Sequence, residues 1–309
     1  MANETKDLDA FDIIQTLFPY LIVAAHYSRH IQQAIVPLKE KNLPDNNNIF
    51  SQALSAADLS IQNLVEVALL AHFPHLAFFG EEHEKSYNTP YIKSTTWNNN
   101  PRPNCKSDSF LVLLDPIDGT RRFLDKHDNF QIILSVITPS GFEGALLIFP
   151  ARQNYYYAIK DKGTYFGASL NEPITKATRF IKSDCSINPE SKPCVYISNK
   201  AEIRKPDLLT DYYVHNGLDD YTNHKQPPGS SDILRGSIAA TILGRSSYID
   251  HGAIIFIAKE AGYIVANLDG SLQTVPNINT DTLQITPTIV ATNQKVLNDI
   301  IKASPYQVN

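Results

Sequence analysis

The chain holds only three cysteines in 309 residues, Cys105, Cys185 and Cys194. An odd, widely separated set argues against a disulfide framework and against a thiolate metal site. Long apolar runs are also missing. The most apolar stretch near the start, Leu21 to Ala25, ends at His26, far short of a bilayer span. The opening residues Met1 to Asp7 are polar and partly acidic, unlike the basic start of a secretory signal. No internal repeat is present. A formal net charge of −5 removes the electrostatic reason to expect nucleic acid or a membrane surface as partner. These absences predict a cytoplasmic, reduced protein, and leave room for a small anionic substrate only where local cations or a metal offset the overall charge.

The hydrophobic content of 43% and charged content of 19% are those of a globular chain with a large core. Leu17, Leu21, Ala24, Ala25, Ser28, Ile31 and Ile35 share one helical face and predict a first helix, with Pro19 near its start or at a kink. A polar breaker follows at residues 44–48. Ser55 to Asp58 has the form of a capping box, opening a second helix that Pro74 closes. Leu76 to Phe79 reads as a short strand running into Gly80-Glu81-Glu82, and residues 83–109 as an exposed polar excursion. Strands follow at Phe130 to Thr138, Glu143 to Phe149 and Tyr155 to Lys160, the last with alternating burial and a turn at Asp161 to Gly163. Val195 to Ser198 reads as a strand. Gly229-Ser230-Ser231 opens a helix running toward Leu243, with the serine hydroxyls at the capping position. Tyr248 to Asp250 reads as extended, with Asp250 leading a helix that closes at Gly262. A strand at Ile289 and a helix from Val296 to Lys302 end the chain. Strands dominate the first part and strands alternate with helices in the second, which predicts an α+β fold. The domains are expected at residues 1–178 and 179–309.

Leu111 to Leu114 is a continuous apolar run, the mark of a buried strand, and it meets Asp115-Pro116-Ile117-Asp118-Gly119-Thr120. Pro116 lacks an N–H and is expected to force a turn. Two carboxylates fixed at the mouth of a buried strand repel each other, so they need a cation between them or a shared proton. Hard divalent cations take such oxygen ligands. Asp58, Glu81 and Asp250 also stand at predicted strand ends or helix starts. His127 and the pair Arg121 and Arg122 read as solvated.

In order along the chain, the motifs are Ser55-x-x-Asp58, Gly80-Glu81-Glu82, Asp115 to Thr120, Gly229-Ser230-Ser231, Asp250-x-x-Ala253 and Glu260-Ala261-Gly262. This set resembles the inositol monophosphatase superfamily, the Mg²⁺-dependent, lithium-sensitive phosphomonoesterases, over nearly the whole chain. The resemblance implies a layered α-β-α-β-α sandwich and a homodimer. It implies that Glu81, Asp115 and the Ile117 carbonyl bind one Mg²⁺, and that Asp115, Asp118 and Asp250 bind a second. Asp58 and Thr120 would hold the attacking water, with a third, weaker ion there, and Glu82 would support them. The Gly119 and Thr120 amides would cradle the phosphate, and Ser230 and Ser231 would touch the substrate.

Some positions depart from the family's pattern. Ser55 stands for a threonine, Ile249 for a tryptophan and Tyr263 for a second glycine; Lys39 and Lys41 are both candidates for an N-terminal lysine. The step from Gly244 to Asp250 is shorter than in relatives, which bears on substrate choice. The expected substrate is a small phosphorylated polyol, inositol monophosphate first. The alternatives are 3′-phosphoadenosine 5′-phosphate and a catalytically quiet, regulatory relative.

Overall fold

The computed structural model describes residues 8–35, 55–82, 110–182, 192–198, 203, 205–244, 246–273 and 284–304. The polar breaker at 44–48, Lys39, Lys41, the 83–109 excursion with Cys105, and Cys185 lie outside them, as does Arg245 in the short step before Asp250. The chain divides into two compact units, residues 1–160 with 166–178, and residues 161–165 with 179–309.

The first unit opens with helix α1 (Ala10–Ile31). It starts earlier than the apolar periodicity at Leu17 suggests, because Asp9 and Asp12 form a reciprocal capping box: each backbone N–H donates to the other carboxylate, at 3.2 and 2.9 Å. Pro19 is inside the helix, and Ile35 lies beyond its end. Helix α2 (Ala56–His72) starts where expected, at the Ser55 box. Strand β1 (Ala77–Gly80) pairs parallel with β2 (Leu111–Asp118), and short α3 (Thr120–Leu124) follows. An antiparallel series continues with β3 (Gln131–Thr138), β4 (Gly141–Phe149) and β5 (Asn154–Ile159). Helices α1 and α2 pack on each other and on β2, β3 and β4. Gly144 on β4 permits that approach: a Cβ there would lie 3.0 Å from Ile14 Cδ1 and 3.1 Å from Ala10 Cβ. Tyr155, Tyr156 and Tyr157 are all buried, so the expected alternation is wrong: β5 is covered on both faces. The units divide within β6 (Gly163–Gly167), and again within β7 (Thr178–Phe180), after Thr178.

The second unit contains β8 (Cys194–Ile197), β9 (Tyr213–Asn216), β10 (Ala240–Leu243), β11 (Ser246–Ser247), α4 (Ala253–Glu260), β12 (Ile264–Asn267), β13 (Gln284–Ile285), β14 (Thr288–Ala291) and α5 (Gln294–Ala303). Its main sheet has the order β12-β14-β10-β8-β9, with β8 parallel to β9 and β10, and β14 antiparallel to its neighbours. Val195, Ile197, Ile242, Ile289, Leu297 and Ile300 form the centre of its core. Mixed sheets with helices confirm the α+β class. Among the described residues no helix is long and apolar enough to cross a membrane.

Two helical expectations in this unit are corrected. Ser230–Arg235 is a 3₁₀ turn, not the start of a helix reaching Leu243. Gly236, at φ +67°, ends it, and the β-branched Thr241 and Ile242 enter β10. The serine hydroxyls do not cap it; the Asp232 carboxylate accepts from the Gly229 N–H at 2.9 Å. Tyr248 to Asp250 is not extended either. Ser247 Oγ accepts from the Ile249 N–H at 3.1 Å and starts a π-helical turn, Tyr248–Gly252, that runs straight into α4. Asp250 therefore sits within that turn rather than at a helix start.

Candidate functional site

The buried side chains of Leu111, Val112, Leu113 and Leu114 anchor β2, and each is worth roughly 1.5–3 kcal/mol of burial. That anchorage holds the polar end of the strand in place. The strand does not stop at Asp115 as expected. It continues to Asp118 through a bulge in which Asp115 faces Ile133 and Asp118 faces Gln131. The missing N–H of Pro116 is accommodated in the bulge, where the ladder is already interrupted. Asp115 Oδ1 accepts from the Ile117 N–H at 3.0 Å, closing the irregular loop on itself.

Gly119 follows with φ +85°, a left-handed conformation that favours glycine, and starts α3. Behind it Arg122 is buried rather than solvated, with its Cδ 3.5 Å from where a Gly119 Cβ would stand. Arg121 pairs with Asp125 at 2.9 Å. His127 is buried as well, contrary to the solvated turn expected of it: Gln32 Nε2, at the end of α1, donates to the carbonyls of His127 and Phe123 at 2.8 and 3.2 Å.

Thr120 is turned toward α2. Its Oγ1 lies 3.0 Å from the Ile117 carbonyl oxygen and 3.2 Å from Asp58 Oδ1. Asp58 is fully buried, and its second oxygen accepts from the Ser55 N–H at 2.8 Å and from Ser55 Oγ at 2.6 Å. One carboxylate thus caps α2 and reaches the turn after β2. Glu81 leaves β1 beside the same strand, its N–H donating to the Leu114 carbonyl at 2.9 Å. The buried Glu82 is fixed by Gln62, whose Oε1 accepts from the Glu82 N–H at 2.9 Å. Gly80 makes room for this: a Cβ there would fall 2.2 Å from Gln62 Oε1.

The electrostatics agree with one cluster. Burial pushes the Asp58 carboxyl up to about 7, with the charges of Glu81 and Glu82 adding to the rise and the Ser55 hydrogen bonds opposing it. Burial pushes Asp118 up to about 6, opposed by the Arg122 charge and the Gln131 amide and reinforced by Glu81. Asp58, Glu81, Glu82, Asp118 and Thr120 are therefore brought together, with Asp115 and Ile117 in the same turn. Gln62, Arg122 and Gln131 also shape the site but are not legible as site residues in the sequence. For Gln131 a signal exists: it is a glutamine directly before the apolar run Ile132 to Leu134. Ser230 and Ser231, both buried, and Asp250 belong to the second unit.

Buried carboxylates that raise one another's affinity for protons, all offering oxygen, fit a hard divalent cation. Among the described residues no three His, Cys, Asp or Glu groups converge tightly enough to enclose an ion by themselves. Mg²⁺ does not require that, since it keeps several waters and takes one or two carboxylates beside a substrate phosphate.

Comparison with known proteins agrees with this architecture. The chain is 25% identical, over 222 residues, to the 3′(2′),5′-bisphosphate nucleotidase CysQ of Haemophilus influenzae, a match covering 64% of this chain and 74% of that protein. Its fold is similar to that of a staphylococcal inositol monophosphatase-1 soaked in lithium chloride as an inhibitory complex, with a TM-score of 0.64 and 17% identity over 96% of each chain. An IMPase/NADP phosphatase complexed with Mg²⁺ and phosphate is similar at a TM-score of 0.61 and 17% identity, covering 93% of this chain and 94% of that one. The family model described as the inositol monophosphatase family matches residues 21–306, and the chain belongs to that family.

Proposed function

We propose that the chain is a Mg²⁺-dependent phosphomonoesterase acting on a small phosphorylated polyol, inositol monophosphate first. The observation that carries this reading is the hydroxyl of Thr120 set between Asp58 Oδ1 and the Ile117 carbonyl, beside buried carboxylates at the end of β2. In this reading Glu81, Asp115, the Ile117 carbonyl, Asp118 and Asp250 hold two ions, with a third near Asp58. Bound there, the cations supply a lowered pKa for water and charge stabilisation for the attacking and leaving oxygens.

The remaining work falls to the chain's own groups. Asp58 and Thr120 orient the attacking water. Asp58, 3.2 Å from the Thr120 hydroxyl, is placed to take up the proton of that water. Glu82 keeps the acidic cluster in place through its backbone link to Gln62. The Gly119 and Thr120 amides, at the start of α3, receive the phosphate oxygens, and Ser230 and Ser231 contact the substrate. Phosphoryl transfer depends mainly on positioning and charge neutralisation, so no protein nucleophile is needed. Lithium inhibition, a homodimer and a cytoplasmic setting belong to the same reading.

A second reading is a 3′(2′),5′-bisphosphate nucleotidase acting on 3′-phosphoadenosine 5′-phosphate. It is favoured by the similarity to CysQ and by the run Asp118-Gly119-Thr120-Arg121-x-Phe123. A phosphate-release screen over inositol phosphates, sugar phosphates and 3′,5′-bisphosphonucleotides separates the two. Release from none of them, or release that survives exhaustive chelation, rejects the proposal.

A further inference from the structure

Gln131 opens β3 directly before the apolar run Ile132 to Leu134, and it is buried at 2% exposure. Burying an amide costs its hydration, so a leucine or methionine would serve the core better. The position is set by the bulge in β2. From Leu111 opposite Ile137 to Asp115 opposite Ile133 the two strands advance in step. Then three residues of β2 pass against two of β3, and Asp118 arrives opposite Gln131. Directly paired side chains on one face of an antiparallel ladder are close enough to interact. Here Gln131 Nε2 donates to Asp118 Oδ2 at 2.5 Å. The amide orientation follows from chemistry, because an ionised carboxylate only accepts. The other amide atom, Oε1, is buried with no hydrogen-bond partner among the described residues, so the glutamine is not kept for a fully satisfied network.

We propose that Gln131 is a positioning residue for the metal site: it engages Oδ2 of Asp118 and leaves Oδ1 to face a cation. The inference rests on the reading of Asp118 as a metal ligand. A ligand carboxylate held by an outer hydrogen bond loses about 10- to 100-fold in metal affinity when that bond is removed. The bulge sets this meeting: had the two strands stayed in step past Asp115 and Ile133, Asp118 would stand opposite Phe130 rather than Gln131.

The test uses the full chain freed of metal and titrated with Mg²⁺ by calorimetry. Gln131→Met keeps the shape and removes the donor, and Gln131→Leu repeats the change should the first variant fold poorly. Ser135→Ala alters another buried polar residue on the same strand, away from Asp118. We expect the Mg²⁺ dissociation constant to rise at least tenfold in the Gln131 variants and to stay within twofold in Ser135→Ala. The Mg²⁺ concentration for half-maximal phosphate release should rise in parallel, with the effect falling there more than on kcat. Melting temperatures without Mg²⁺ should change little, because the donor lost to Asp118 is set against removal of a half-satisfied buried amide. A Gln131→Met affinity within twofold of the unmodified chain overturns the proposal, as does an equal loss in Ser135→Ala. If the unmodified chain binds no Mg²⁺, the metal reading of Asp118 fails and the inference falls with it. Unaltered binding in the Gln131 variants alone leaves that reading intact.

Discussion

Thr120 Oγ1 stands 3.2 Å from Asp58 Oδ1, joining the start of α3 to the first turn of α2 across 62 positions of sequence. The hydroxyl has one proton and two acceptors within reach, Asp58 and the Ile117 carbonyl. When Asp58 carries its proton, a relay can form in which Asp58 donates to Thr120 and Thr120 donates to Ile117. When Asp58 is ionised, Thr120 can turn its proton toward the carboxylate. Replacing Thr120 by valine keeps the volume and deletes the relay. We expect kcat to fall by about 10²- to 10⁴-fold, the usual range for losing a positioned proton-transfer group. Thr120→Ser should recover most of it. Steady-state phosphate release at saturating Mg²⁺ reads both, and a valine variant within threefold of the unmodified chain removes Thr120 from the reaction.

Asp118→Asn removes a charge held against burial and against Glu81, while the amide can still meet Gln131. Folding should therefore survive, with a melting temperature in chelator equal to or above that of the unmodified chain. Turnover should be abolished, because a carboxamide is a poor ligand for a hard cation. Thermal denaturation and phosphate release on the same preparation check both halves. A variant with near-normal rate removes Asp118 from the metal set.

The Asp58 carboxyl gives stability a pH dependence whose sign is fixed by its raised pKa. Below about pH 4 the group is protonated in both folded and unfolded chains. Between there and about 7 the folded chain keeps a proton that the unfolded chain releases. Stability of the metal-free protein should therefore fall as pH rises through this window, by a few kcal/mol at most, and then level off. Asp118, raised to about 6, contributes in the same direction. Mg²⁺ should oppose the fall by favouring the ionised cluster. Melting curves in chelator and in Mg²⁺, from pH 5 to 8, test this. A metal-free melting temperature that climbs steadily toward pH 8 contradicts it.

The parts of this site legible in the sequence are those written in local pattern. The run from Leu111 to Thr120 and the box at Ser55 each combine a strong apolar signal with a short polar motif, and both lie where expected. The course of β2 through Pro116 was not legible, because a bulge and a turn look alike until the pairing with β3 is known. Asp250 misled for a similar reason. Its own side chain has the chemistry of a helix cap, but Ser247, three positions earlier, performs the capping. Arg122 and His127 read as solvated in the sequence, and Gln131 went unmarked, because burial of a polar residue depends on long-range packing. Gln32 bonds partners more than ninety positions away, which no window of sequence displays.

Gly80→Ala tests how far the acidic cluster depends on a residue that touches no substrate. The new Cβ would meet Gln62 Oε1 at 2.2 Å and the amide carbon at 2.3 Å, closer than atoms can approach. Gln62 is a long side chain and can swing aside, so the fold should persist, at about 1–3 kcal/mol of overpacking cost. Swinging aside breaks its bond to the Glu82 N–H and releases the backbone that aims Glu82 and the adjoining Glu81. We therefore expect a modest loss of stability together with a disproportionate rise in the Mg²⁺ needed for activity. Gln62→Leu should reproduce the second effect without the steric clash. If Gly80→Ala lowers the melting temperature while Mg²⁺ dependence stays unchanged, Gln62 supports only the fold, and the placement of Glu81 rests on β1 alone.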